Sequence, residues 1–142
     1  VAINPNLIHL YMYMEVREST FEEVYPIWNE QLWPERVSKI EPMSSLYWKQ
    51  PRDIIKDNTI FNKYQPTFFV IKIEGNIVGV NSGFKTGSGT YRSRGLWVSE
   101  EHRGNGYGKT LLMQAIIQGK NEGCFWIWSM PRKTALKTYE NI

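Results

Sequence analysis

A glycine-rich segment near residue 105 restricts the fold of this 142-residue sequence more than any other feature. In HRGNGYGKTLL, residues 102–112, three glycines alternate with other residues between an apolar β-rich run and a helical pattern. Glycines let the backbone approach a ligand closely, and successive N–H groups at a helix N-terminus form a donor site for an anion. The segment therefore predicts an α/β protein with a phosphate-binding loop.

Two common phosphate-binding motifs do not fit this segment. The P-loop motif needs four residues between its first glycine and the Gly-Lys-Ser/Thr triplet, but only three separate Gly104 from Gly108. The dinucleotide motif G-x-G-x-x-G fails because Gly108 follows Gly106 after a single residue. The sequence therefore argues against an NTPase and against a dinucleotide-binding domain.

The first half of the chain predicts a strand, a helix and an irregular region. Residues Tyr11–Arg17 read as the first strand, and Ser19 or Thr20 is expected to cap the helix that follows. Pro26 is expected only in the first turn of that helix. A short helix and loops are expected over residues 31–64, where an aromatic, irregular segment is typical of a substrate groove. The apolar positions of the predicted helix are Phe21, Val24, Ile27 and Trp28.

The middle of the chain predicts three sequential strands. Phe68–Ile73 is β-rich, a turn follows at Glu74–Asn76, and Ile77–Val80 begins the return strand. A second turn at Gly87–Gly89 leads to a third strand over Tyr91–Val98. These runs predict an antiparallel meander directly before the glycine segment.

A helix, a short strand and a last helix are predicted after the glycine segment. Cys124–Trp128 is expected to be a central strand because it is apolar throughout. Thr134 is expected to cap the last helix. The resulting order predicts an α/β fold with a mixed sheet and helices packed on it. The apolar positions of the helix after the glycines are Leu111, Leu112, Ala115, Ile116 and Gly119.

The composition narrows the functional classes. The single cysteine cannot form an internal disulfide, and no metal-ligand spacing of Cys or His occurs, which favours a cytoplasmic protein without a metal. A net charge of +3 permits nucleic-acid binding without requiring it. No apolar run approaches the length that crosses a membrane. We expect one domain, residues 1–142, as a monomer or homodimer.

The glycine segment and its surroundings resemble the GCN5-related N-acetyltransferase (GNAT) superfamily. Its signature, Gln/Arg-x-x-Gly-x-Gly/Ala between the fourth strand and the next helix, is matched by Arg103–Gly108. Ala135–Ile142 is similar to the family's Ala-x-x-x-Tyr-Glu pattern. The segments Tyr91–Leu96 and Trp128–Thr134 resemble a bacteriophage-type branch. The family's last two strands are missing, so a fragment cut at both ends is expected.

The resemblance implies the acyl-CoA acyltransferase fold and transfer of an acetyl group from acetyl-CoA to a primary amine, in which the amine attacks directly. Tyr139 matches the family's general acid beside the sulfur. A backbone N–H near Trp97 or Val98 would stabilise the oxyanion. The residues expected to bind acetyl-CoA are Leu96, Trp97, Val98, Arg103, Gly104, Asn105, Gly106, Tyr107, Gly108, Lys109 and Thr110.

The sequence departs from the family pattern at two places. The fourth strand carries no carboxylate to act as base, so a water chain through Ser93 or Ser129 is the remaining route. Arg132 stands where an asparagine is common in the family. The acceptor is expected to be a small-molecule or peptide amine. Arg92, Arg94, Arg132 and Lys133 either line the acceptor side and favour an acidic or phosphate-bearing amine, or form salt bridges, or bind the 3′-phosphate of the cofactor. The alternative class is a nucleic-acid-associated acyltransferase or an inactive module that binds CoA or nucleic acid.

Overall fold

The computed structural model describes residues 16–49, 53–56, 58–131 and 140. The strands are β1 (Val16–Ser19), β2 (Leu46–Lys49), β3 (Asp53–Lys56), β4 (Thr67–Ile73), β5 (Asn76–Lys85), β6 (Thr90–Val98) and β7 (Trp126–Trp128). The helices are α1 (Phe21–Ile27), α2 (Ile60–Lys63) and α3 (Tyr107–Asn121), with a π-helical turn (Trp28–Leu32) after α1 and a 3₁₀ turn (Glu100–His102) before α3.

Five strands form one mixed sheet in the order β1-β4-β5-β6-β7. The pairs β1–β4, β4–β5 and β5–β6 are antiparallel, whereas the pair β6–β7 is parallel. A parallel pair needs a crossover connection, and α3 provides it. The α/β fold, the three-strand meander and the helix after the glycines are thus confirmed, with β5 extending to Lys85.

Two apolar clusters cover the two faces of this sheet. Phe69 and Ile71 of β4 pack with Leu111 of α3 on one face. Phe68 and Val70, which alternate with them, pack with Trp28 on the other. Because successive strand residues point to opposite faces, α3 and α1 lie on opposite sides of the sheet.

The α1 region differs from the sequence prediction in the place of its proline. Thr20 caps the helix as expected, since its Oγ1 accepts a hydrogen bond from the Glu23 N–H at 3.2 Å. Pro26, however, is the sixth residue of α1, and the prediction that it lies in the first turn is wrong. A π-helical turn follows directly, and its last hydrogen bond joins Trp33 N–H to Trp28 O at 2.7 Å. Trp28, the first residue of this turn, is fully buried in the α1-side core.

Two further predictions need correction. Residues 31–64 hold an antiparallel hairpin, β2–β3, and α2 rather than a helix followed by loops. The strand predicted at Cys124–Trp128 begins at Trp126 and is the edge strand of the described sheet, not a central one. Trp126 is 46% exposed, so its apolar character does not reflect burial between neighbouring strands.

Some predicted elements fall outside the described residues. These are residues 11–15 of the first strand and residues 132–139, which include Thr134 and Tyr139. The described part of the first strand is β1, which pairs with β4 from Val16 to Ser19. In the described ranges, every helix is too short or too polar to span a membrane.

Candidate active site

The glycine segment forms an exposed turn between β6 and α3. Gly104 and Gly106 both have φ +82°, a left-handed conformation that glycine adopts at no steric cost. Gly106 is the N-cap of α3, and Thr110 donates its N–H to the Gly106 carbonyl at 3.0 Å to close the first turn. The N–H groups that precede this bond lie in the first helical turn, where an α-helix offers them no acceptor. The turn is therefore a donor-rich helix N-terminus.

Side chains of the preceding 3₁₀ turn brace this loop. Ser99 Oγ and His102 Nδ1 are 2.6 Å apart, and Asn105 donates its side-chain amide to the His102 carbonyl at 3.2 Å. The His102 ring also lies against the Tyr107 ring, with centroids 6.0 Å apart. No role for His102 was predicted from the sequence. A Ser-x-x-His spacing, which lets a hydroxyl reach the side chain three residues on, was the available signal.

Two predicted ligand-binding side chains already have intramolecular partners. Arg103 donates Nε to the Val98 carbonyl at 3.1 Å, which ties the loop to the end of β6. Thr110 donates its hydroxyl to the Gly106 carbonyl at 2.9 Å. A bond from that hydroxyl to a phosphate would replace this bond. Lys109 lies exposed on the first turn of α3.

The edge of β6 that faces β7 is covered over only part of its length. β7 pairs with Thr90–Arg92, and in the described part of the chain no later residue of β6 pairs with it. Ser99 donates its N–H to Val78 O of β5 at 2.8 Å. Because backbone N–H groups alternate between the two edges of a strand, the Val98 N–H is expected on the edge away from β5. The Arg103 bond to Val98 O is consistent with that orientation.

A bulge at Gly95 redirects β6 just before this open edge. The register with β5 shifts between Val80, which pairs with Trp97, and Ser82, which pairs with Arg94. Gly95 has φ +81° within this irregular segment. Trp28 donates its indole N–H to the Gly95 carbonyl at 2.9 Å. A bulge bends a strand and re-aims its side chains, and here it separates the arginine-bearing half of β6 from Leu96–Val98.

A groove of about 370 Å³ lies on the α1 side of β6. Its volume is at the lower end of the range typical of small-molecule sites. It combines apolar and aromatic side chains with three arginines and one carboxylate. The residues that line it are Trp33, Arg36, Glu41, Met43, Ser44, Ser45, Leu46, Phe61, Arg92, Arg94 and Met130. The irregular region after α1 thus walls a groove, as the sequence analysis expected.

Two arginines of β6 lie at the base of this groove and are almost fully buried. Arg92 is 7% exposed and lies 5.0 Å from the Trp128 ring centroid. Arg94 is 5% exposed, lies 5.1 Å from the ring centroids of both Trp28 and Trp33, and donates Nη1 to the Glu41 carbonyl at 2.8 Å. Burial lowers the pKa of Arg94 to about 9, as do the charges of Arg92 and Arg36, while Glu41 opposes the change. The guanidinium remains protonated at neutral pH.

The other candidate residues occupy different environments. Ser93 is 0% exposed, and its hydroxyl donates to Asn81 Oδ1 at 3.2 Å, so it does not contact solvent and cannot begin a water chain. Ser129 donates its hydroxyl to the Ser93 carbonyl at 2.8 Å. Cys124 is 4% exposed, and burial raises the pKa of its thiol. Tyr139 lies outside the described residues.

Comparison with models of protein families identifies the family of this chain. Residues 16–141 match the model of the acetyltransferase (GNAT) family. The match covers most of the sequence, and the chain therefore belongs to this family. Membership defines the protein as an acyltransferase.

Solved structures of acetyltransferases share the fold at low identity. Aminoglycoside N-acetyltransferase AAC(6')-Iy in complex with CoA superposes with a TM-score of 0.59 and 15% identity, over 89% of this chain and 88% of that one. A predicted acetyltransferase from Clostridium acetobutylicum with acetyl-CoA gives 0.61 and 14%, over 89% and 86%. An aminoglycoside acetyltransferase from an uncultured soil metagenomic sample, in complex with sisomicin, gives 0.60 and 14%, over 89% and 85%. Comparison with curated protein sequences gives no match.

Proposed function

We propose that this chain is an N-acetyltransferase that moves an acetyl group from acetyl-CoA to a primary amine. One observation carries the proposal: the open edge of β6 and the N-terminus of α3 are consecutive in the chain and are tied together by the Arg103–Val98 bond. A ligand with an anionic part and an extended amide arm would fit this arrangement. CoA has both parts, and structures of similar fold carry CoA or acetyl-CoA.

The loop suits the pyrophosphate of CoA for three reasons. At Gly104 and Gly106 an added Cβ atom would meet nothing within 4 Å, so space for a ligand adjoins the backbone. The N–H groups of the first helical turn are available as donors, and the helix dipole adds about half a positive charge. Arg103 and Lys109 are exposed and add positive charge beside the loop. In this assignment Asn105 and Tyr107 position the loop, and the backbone N–H groups of residues 104–109 bind the phosphates.

The open edge of β6 suits the acyl end of the donor. Leu96 is buried in the α3-side core, so only its backbone is available to a ligand, while Trp97 and Val98 are partly exposed. A Val98 N–H on the uncovered edge would donate to the thioester oxygen as negative charge develops there. A single donor of this kind typically contributes about 3–4 kcal/mol to transition-state stabilisation. The adjoining groove would hold the amine.

The transfer proceeds by direct attack of the amine on the acetyl carbon. A covalent acyl-cysteine route would need an accessible thiolate. The sole cysteine is Cys124, which is buried and whose pKa is raised. The amine nitrogen forms the new amide bond as the carbon–sulfur bond breaks, and the nitrogen gives up one proton to water. The CoA thiolate leaves and takes up a proton. Tyr139 is proposed as the group that supplies this proton.

The proposal is tested by measuring release of free CoA thiol from acetyl-CoA with a panel of primary amines. We expect amine-dependent release, a stoichiometric amide product, and sequential rather than ping-pong kinetics. Cys124→Ala should retain turnover, because the thiol takes no part. Binding of DNA with a steep salt dependence and no turnover of any amine would instead support the nucleic-acid-binding alternative.

Replacement of Tyr139 by phenylalanine tests the proposed acid. We expect kcat to fall about 100-fold or more, because a positioned general acid typically contributes at least that factor. The affinity for CoA, measured by calorimetry, should change less than about twofold, since the hydroxyl would act in the transition state alone. An unaltered kcat would remove Tyr139 from the mechanism.

A further inference from the structure

The groove beside β6 concentrates positive charge on three arginine side chains. Arg36, Arg92 and Arg94 line it together with one acidic residue, Glu41. Glu41 offers Arg94 its backbone carbonyl, while the Glu41 carboxylate lies 3.8 Å from Lys39. Among the described residues, no carboxylate lies within ion-pair distance of the Arg94 or Arg36 guanidinium.

The hydrogen bonds of these two guanidiniums go to neutral groups. Arg36 donates Nε to Ser38 Oγ at 3.0 Å and Nη2 to the Lys39 carbonyl at 3.4 Å, and it lies 5.3 Å from the Trp33 ring centroid. Arg94 lies 5.1 Å from the same ring centroid and donates Nη1 to one carbonyl. A guanidinium has five N–H donors, and its planar fork matches the two oxygens of a carboxylate or phosphate. Arg94 therefore retains donor capacity at the groove.

Burial of such a charge without a carboxylate destabilises the protein unless a ligand supplies the anion. Buried charges are normally paired or coordinated, yet Arg94 is 5% exposed beside two other cations. The lowered pKa of Arg94 reflects the same desolvation and repulsion. A buried cation without a carboxylate partner in a concave site indicates a functional role rather than a contribution to stability.

We infer that the acceptor is a small primary amine that also carries a carboxylate or phosphate group, which Arg94 and Arg36 bind in the groove. The inference rests on the proposed acetyltransferase function and specifies its substrate class. The volume of about 370 Å³ fits a small molecule rather than a folded partner. Trp33 and Phe61 add apolar surface beside the anion site.

The location of these arginines argues against a role for them in binding the phosphates of CoA. Arg94 lies over Trp28, which packs on the α1 face of the sheet. The glycine loop leads into α3, which packs on the opposite face. The structure therefore favours binding of the acceptor by Arg92 and Arg94 over binding of the 3′-phosphate of CoA. The groove also disfavours polycationic amines such as sisomicin, the ligand of one similar structure.

The test compares pairs of amines that differ in one anionic group. The probes are phenylalanine against phenethylamine for a carboxylate, and glucosamine 6-phosphate against glucosamine for a phosphate, with kanamycin as the polycation. We expect the anionic member of at least one pair to have a kcat/KM about tenfold to hundredfold above its partner, as charge-assisted hydrogen bonds provide. The pair that shows the preference identifies the anion.

Arg94→Gln and Arg36→Gln should remove that preference, mainly through KM, while calorimetric affinity for CoA stays unchanged. Arg36 is exposed, so its variant remains informative if Arg94→Gln fails to fold. Lys120→Gln, an exposed change at the end of α3, is the matched loss of charge and should keep the preference. The inference would be overturned by an equal kcat/KM for the two members of both pairs, or by a higher kcat/KM for kanamycin than for the anionic amines. It would also be overturned if a protein that binds acetyl-CoA did not turn over the anionic amines. Failure to bind CoA at all would instead overturn the proposed function itself.

Discussion

Replacement of Gly106 by leucine is expected to abolish CoA binding and to leave the protein folded. Gly106 is the N-cap of α3 with φ +82°, and a Cβ atom there would meet nothing within 4 Å. The new side chain would therefore enter the solvent-filled space beside the helix N-terminus, where the pyrophosphate is proposed to bind. Loss of two charge-assisted hydrogen bonds would weaken CoA at least about 100-fold. Calorimetric titration with CoA measures this directly.

Gly123 provides a matched control at the other end of the same helix. Its φ is +84°, and a Cβ atom there also has nothing within 4 Å. Gly123→Leu should therefore impose the same left-handed strain, about 1–2 kcal/mol, and a similar fall in Tm. It should leave CoA affinity unaltered, because α3 separates the two glycines by roughly 20 Å. Equal losses of affinity in both variants, or none in Gly106→Leu, would remove the loop from the proposed site.

The sequence predicted the elements whose determinants are local. The strands from Thr67 to Val98 follow from β-rich runs with turn residues between them, and Glu74 and Gly75 adopt the positive φ values that a tight turn requires. The helix after the glycines follows from its apolar spacing. In these elements propensity, pattern and turn chemistry favour the same structure.

Predictions failed where tertiary contacts determine the structure. Trp126 and Phe125 look like core residues because they are aromatic, yet Trp126 is 46% exposed on the edge strand β7 and Phe125, just before that strand, is 77% exposed. The β2–β3 hairpin lacks a clear alternation, and only its pairing distinguishes it from loop. Pro26 lies in the second turn of α1, where it cannot donate a hydrogen bond to the Glu22 carbonyl, and a π-helical turn follows. None of these features can be predicted from neighbouring residues in the sequence alone.

For the same reason, only the part of the candidate site that is contiguous in sequence could be predicted. The glycine loop is contiguous in sequence, so a motif was sufficient to find it. The Trp28–Gly95 hydrogen bond joins residues 67 positions apart, and the groove joins Arg36 to β6, so neither has a local signal. The sequence suggested an acceptor role for Arg92 and Arg94, but their burial among tryptophans emerged from the fold alone.

Gly95→Ala is expected to destabilise the protein strongly, because the bulge of β6 fits against Trp28. A Cβ atom at Gly95 would lie 2.3 Å from two carbons of the Trp28 ring, and the φ of +81° disfavours any side chain there. Trp28 is 0% exposed and cannot retreat without disturbing the α1-side core. Backbone strain, overpacking and loss of the Trp28 hydrogen bond together predict roughly 4 kcal/mol lower free energy of unfolding. Denaturant titration measures this change.

A second substitution separates steric conflict from backbone strain. Trp28→Phe removes the ring atoms nearest to Gly95 and the indole N–H, and we expect it to cost about 1–3 kcal/mol on its own. In the double variant the smaller ring leaves room for the alanine, so the two costs should not add, with a coupling of about 1–2 kcal/mol. Additive costs, or a Gly95→Ala variant within about 1 kcal/mol of the wild type, would show that β6 adjusts without its bulge.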